Sequence, residues 1–169
     1  LEESILNKLD RLYPSARDAV KQAIEDKMEE MIRRGALHSG IAMKAYAETG
    51  MTALQAEIMG LLEKVAALKP GIADWQHVRS SIEQFVDSES KRLYTDACRR
   101  WDPGKYPMEE VKRILDDLQR KALTEVDMFV ESRIKEIKEE RSRRLKATVW
   151  DIVKVVAGGL IGYVLARFT

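Results

Sequence analysis

Two stretches of the chain carry side chains whose type and spacing could do chemistry. Asp74 and His77 lie three residues apart, so a helix would put them on one face, as a shared metal ion requires. Carboxylate-rich di-metal bundles draw a Glu-x-x-His from each of two helices and two further carboxylates besides. Here a single Asp-x-x-His occurs, and Asp74 stands where the start of a helix needs a capping side chain. Cys98 is followed by Arg99 and Arg100, whose charge would favour a thiolate at an exposed position. No histidine neighbours it in sequence to serve as a base, and the other histidine, His38, falls in a Leu-His-Ser-Gly turn. There is no Gly-rich phosphate loop, no serine nucleophile elbow and no HExxH zinc motif. The acidic pairs Glu29-Glu30 and Asp116-Asp117 belong to helix faces that need solvated charge. These residues designate no catalytic group, no metal ligand and no cofactor, which puts an enzyme last among the readings.

The most decided pattern is at the C-terminus, where ATVWDIVKVVAGGLIGYVLARFT (residues 147–169) follows the basic run Arg141-Ser142-Arg143-Arg144-Leu145-Lys146. A helix crosses a bilayer with about 20 mostly apolar residues, and 149–168 has that length. Its charges are near the ends: Asp151 and Lys154 at the start, where they can pair and the lysine can reach back to headgroups, and Arg167 at the finish. Gly158 and Gly162, with Gly159 beside them, form a small-xxx-small pattern suited to close helix packing. Arg141, Arg143, Arg144 and Lys146, with Trp150 at interfacial depth, are the expected lipid-headgroup contacts. The excess of basic residues before the apolar run places the bulk of the chain on the cytoplasmic side by the positive-inside rule. The alternative is a helix buried in protein, because the uncharged stretch from Val155 to Ala166 is also short enough for a core.

The remaining sequence supplies the elements. Of 169 residues 34% are charged, yet the net charge is +1, which describes mixed-sign solvated helix faces and argues against a nucleic-acid partner. One cysteine excludes an internal disulfide. Apolar residues recur at helical spacing from Ile5 to Leu12, after which Pro14 is expected to end the helix and Ser15 to cap a second one running to Gly35. A short helix over 41–49 should close at Gly50, and Thr52 should open another with Leu54, Ile58, Leu61, Leu62, Val65 and Leu68 inside. Lys69-Pro70-Gly71 stops it. Asp74 is expected to cap the next helix, whose stripe is Trp75, Val78, Ile82, Phe85, Val86, Glu89, Leu93, Tyr94, Ala97 and Trp101. Its polar middle, 87–92, reads as exposed or singly partnered. The break at Trp101–Pro107 makes a hairpin, and from Pro107 no proline or glycine interrupts the chain until Gly158.

The sequence therefore predicts an all-α protein: a helical bundle over 1–137 with a long hairpin at 75–137, a charged stalk over 138–146, and a hydrophobic C-terminal helix over 147–169. The expected function is a tail-anchored interaction or scaffold module. Its partners would be the lipid bilayer and either a second copy of itself or another protein. Two alternatives are a pore-forming or membrane-disrupting effector and a soluble homo-oligomer with the tail buried between subunits.

Overall fold

The computed structural model describes residues 5–168, with side chains described through residue 156. Among the described residues there are four helices and no strand: α1 (Ile5–Arg33), α2 (Gly40–Ala67), α3 (Ile72–Arg100) and α4 (Met108–Phe168). The chain divides into two compact units, Leu1–Glu131 and Ser132–Thr169. The first is a helical bundle made of α1, α2, α3 and the opening turns of α4, joined by short connections that set sequential helices antiparallel.

Each connection has a local cause. Gly35, at φ +66, ends α1, with Ala36 N–H donating to Met31 O in the six-to-one bond of a Schellman stop. Ser39 starts α2: its Oγ accepts from Ala42 N at 3.2 Å and donates to Ala36 O at 2.6 Å. Lys69, at φ +53, and the buried Pro70 follow the end of α2. In the α3–α4 turn, Asp102 Oδ1 accepts from Gly104 N, and the turn is tied to the other hairpin at two points. Trp101 Nε1 donates to Leu37 O at 3.1 Å, and Tyr106 Oη donates to His38 O at 3.0 Å. Lys44 and Glu110, 2.9 Å apart, join the starts of α2 and α4. That hydrogen bond holds the Glu110 carboxyl below its ordinary value. Its contribution is thus complete above the ordinary carboxylate range and is lost as pH falls through the lowered value.

Four expectations are corrected. Pro14 does not end a helix: α1 runs through it, although its ring nitrogen cannot donate to the carbonyl of Asp10. Leu9 before it and Ala16 and Val20 after it are buried, and Tyr13 stacks on Phe85 with centroids 4.1 Å apart. Packing on both sides outweighs the lost bond, so Ser15 caps nothing. Likewise α2 passes through Gly50 and Thr52 as one helix, which reduces the five expected helices before the hairpin turn to three. Gly50 is a crossing point: a Cβ there would meet Leu93 Cδ2 at 3.0 Å and Ile24 Cδ1 at 3.1 Å. The N-cap of α3 is Gly71, and Asp74 lies one turn inside, its carboxylate accepting from Gly71 N at 2.8 Å. Leu68, assigned to the core by periodicity, is 44% exposed.

The core repeats at helical spacing along all four helices. Leu9, Val20 and Ile24 of α1, Leu54, Ile58 and Leu62 of α2, Ile82, Val86 and Leu93 of α3, and Val111, Leu115 and Val126 of α4 are all fully or nearly buried. Ring contacts close its two ends. Tyr46 and Trp101 meet edge-to-face at 5.5 Å, and Trp75 meets Phe129 at 5.9 Å.

The two mid-helix glycines of α2 should respond oppositely to substitution. Gly50→Val forces branched methyls against Leu93 and Ile24 and should destabilise by about 1–3 kcal/mol. Gly60 has nothing within 4 Å of a Cβ, so Gly60→Ala should stabilise by about 0.5–1 kcal/mol. Urea unfolding of both variants checks this, and equal shifts would remove the crossing argument.

Candidate functional site

From Lys138 to Val156 every residue of α4 is exposed. The first part of that stretch is charged on all sides. At about 100° per residue, Arg141, Arg143, Arg144 and Lys146 leave the helix in four different directions, forming a collar less than two turns deep. Arg144 pairs with Glu140 one turn back, and Thr148 Oγ1 donates to Arg144 O at 3.0 Å. Beyond the collar the surface turns apolar: Leu145, Val149, Trp150, Ile152, Val153, Val155 and Val156 are all between 48% and 75% exposed. Asp151 and Lys154 interrupt this surface, 3.7 Å apart, and Lys154 Nζ also lies 5.9 Å from the Trp150 ring.

The expected headgroup residues, Arg141, Arg143, Arg144, Lys146 and Trp150, therefore sit together on consecutive exposed turns of one helix. Gly158, Gly159 and Gly162, the expected packing residues, lie outside the residues whose side chains are described. Among the described residues no helix is long and apolar enough to cross a membrane.

Many polar groups of the bundle are engaged with each other. Asp74 is occupied by the Gly71 amide, and His77 is exposed. No group of three or more His, Cys, Asp or Glu residues placed to hold a metal ion occurs among the described residues. Cys98 is half-buried beside Tyr94, whose hydroxyl is pushed up first by its hydrogen bond with Cys98 and then by burial. A groove between α3 and α4 is lined by Ser90, Tyr94, Lys112, Leu115 and Gln119, and at its edge Asp87 is neutralised by Lys91 at 2.6 Å. Nothing in it places a nucleophile against a base.

One constellation escaped the sequence reading. Glu89 is 1% exposed in the polar middle of α3, whose composition reads as exposed or singly partnered. Arg17 of α1 donates from Nε to its Oε1 at 2.5 Å, and Arg92 donates from Nε to its Oε2 at 2.8 Å. Both carboxylate oxygens are thus satisfied by guanidinium groups that themselves reach solvent, which is how a buried charge is tolerated. Arg17 also lies over the Phe85 ring, at 5.4 Å. The available signal was the position of Glu89 on the apolar stripe, seven residues after Ile82 and four before Leu93. The geometry makes this a structural tie between α1 and α3.

No protein-family model, no curated protein and no solved structure matches the chain.

Removing the two ends of this tie should cost different amounts. Glu89→Ala leaves two arginines facing a cavity and should destabilise by about 2–4 kcal/mol. Arg17→Ala leaves Glu89 still paired with Arg92 and should cost about 1 kcal/mol. Thermal and denaturant unfolding of the two variants measures the difference; equal costs would show that Arg92 does not sustain the carboxylate alone.

Proposed function

We propose that the chain is a helical interaction module held at a membrane by the C-terminal part of α4, its bundle on the cytoplasmic side and its tail self-associating through Gly158, Gly159 and Gly162. The observation that carries this reading is the concentration of uncovered apolar surface. Of eleven large hydrophobic residues exposed among those described, seven fall between Leu145 and Val156. In sequence the run continues to Ala166 without a charge. Covering a side chain of this kind is worth about 1.5–3 kcal/mol, so such a surface favours an apolar surrounding over water.

The shape of the surface supports lipid as that surrounding. The seven residues spread over about 220° of the helix circumference, whereas a helix packing against one neighbour needs a stripe of about 100°. The collar of basic residues directly before it suits anionic headgroups, at about 1 kcal/mol for each side chain near the surface. Charge is also partitioned along the chain. Residues 141–169 hold six of its 29 Lys and Arg and one of its 28 Asp and Glu, which leaves the first 140 residues with 23 basic against 27 acidic side chains. An acidic body on a basic tail is attracted to an anionic surface by the tail alone.

Fractionation of the full-length chain beside a version ending at Lys146 tests the reading. The full-length chain alone should resist alkaline carbonate and yield to detergent. If both remain soluble, the tail is covered by protein, and a soluble homo-oligomer takes the place of the anchor. Replacing Arg141, Arg143 and Arg144 with glutamate should alter the topology read by protease protection in sealed vesicles; an unchanged topology would remove the positive-inside argument. Release of a trapped dye by the intact chain would point instead to a membrane-disrupting effector.

A further inference from the structure

Among the residues whose side chains are described, Asp151 and Lys154 are the two charges that the apolar part of α4 fails to avoid. Within the chain they satisfy each other poorly: the closest approach is 3.7 Å, and the side chains are 74% and 62% exposed. An ammonium has three donors and a carboxylate several acceptor sites, so one long contact leaves most of that capacity to solvent. In a helix entering a bilayer, charges of this kind face other protein and pair there.

Their position on the helix is specific. At about 100° per residue, Ala147, Asp151 and Lys154 fall within about 60° of arc. Leu145, Val149, Ile152, Val153 and Val156 occupy the diametrically opposite side. From Leu145 to Val156 α4 therefore has one face made only of large apolar residues and a narrow one made of a small residue and two opposite charges. In sequence, steps of four residues from Lys154 carry the narrow face on to Gly158 and Gly162. Small residues permit close approach of two helix backbones, and the large apolar side is left for lipid tails.

We propose that this narrow face is the contact between two parallel copies of the chain, in which Asp151 of each pairs with Lys154 of the other. The proposal rests on the anchoring reading above, since identical tails entering a membrane in one direction are parallel. The charge pattern is self-complementary in that arrangement. Asp151 and Lys154 are one turn apart, about 4.5 Å along the axis, which the four-carbon lysine stem spans. A two-fold axis through the contact then gives two equivalent pairs and fixes the register of the two helices.

The test uses full chains labelled at the N-terminus with donor or acceptor fluorophores, in vesicles of phosphatidylcholine and phosphatidylserine. Asp151→Lys and Lys154→Asp each create like charges on both copies, and each alone should lower energy transfer about fivefold. Mixing the two variants should return transfer to within about twofold of the unaltered chain, because one copy then presents two lysines to two aspartates. A pair acting only within each chain gives no such preference, so a mixture no better than either variant overturns the proposal. Flotation separates this from the anchoring reading. An unaltered chain that floats with vesicles yet shows no transfer overturns the pairing alone, and one that does not float overturns the anchor and the pairing with it. The same readings in non-ionic detergent micelles serve for any variant that fails to insert.

Discussion

Three helices of the bundle come together at a point where even a Cβ would be tight. At Gly50 of α2, side-chain methyls of Ile24 from α1 and Leu93 from α3 would lie 3.0–3.2 Å from a Cβ. Glu89 lies one turn before Leu93 on the same face of α3, and the crossing that buries Leu93 buries Glu89 with it. The carboxylate then has to be met by donors from within the bundle, and Arg17 of α1 and Arg92 of α3 meet it. The arginines do so from its margins, with their guanidinium groups half in water, so the interior holds one charge rather than three.

The ends of the bundle are closed by different means. At one end, side chains from the α3–α4 turn bond to main-chain carbonyls of the α1–α2 turn, and Lys44 and Glu110 tie two helix starts. At the other, Trp75 packs against Phe129, and Arg79 bridges Glu83 and Asp127. Tyr13 and Tyr46, both with hydroxyls pushed up chiefly by burial, fill the space between aromatic rings and polar partners. α4 contributes a buried residue at intervals from Met108 to Val130, and none of its described residues is buried after that. The helix itself continues, because nothing in its sequence favours a stop before Gly158. A helix with no core to serve retains its backbone bonds and ion pairs, and its apolar side chains are left available to another surrounding.

Much of the architecture was legible in the sequence. Helical spacing of apolar residues identified an all-α chain, and Gly35, the Lys69-Pro70-Gly71 stop and the Trp101–Pro107 break marked the three connections. The unbroken helix former content after Pro107 marked α4, and most of the buried positions of α3 and of the second half of α2 lay on the expected stripes. The character of 141–156 was equally plain, because basic and apolar composition is a property of the chain and not of its fold. These features depend on local backbone preference and on side-chain transfer from water, which act residue by residue.

Tertiary structure alone decided the rest. Pro14 and Gly50 are local breakers worth about 1–3 kcal/mol, and the sequence by itself reads them as ends. Burial of Leu9 and Ala16 around Pro14, and of Tyr46, Ala47, Met51 and Leu54 around Gly50, exceeds that cost, and the helices pass through. The glycine that seemed to interrupt α2 is required there by a neighbour far away in sequence. Glu89 is the same case for charge. Composition sends a glutamate to the surface, and it is retained inside because Arg17, seventy-two residues distant, reaches it. Local signals measure what a segment prefers alone, whereas burial and ion pairing between distant segments exist only once the helices have met.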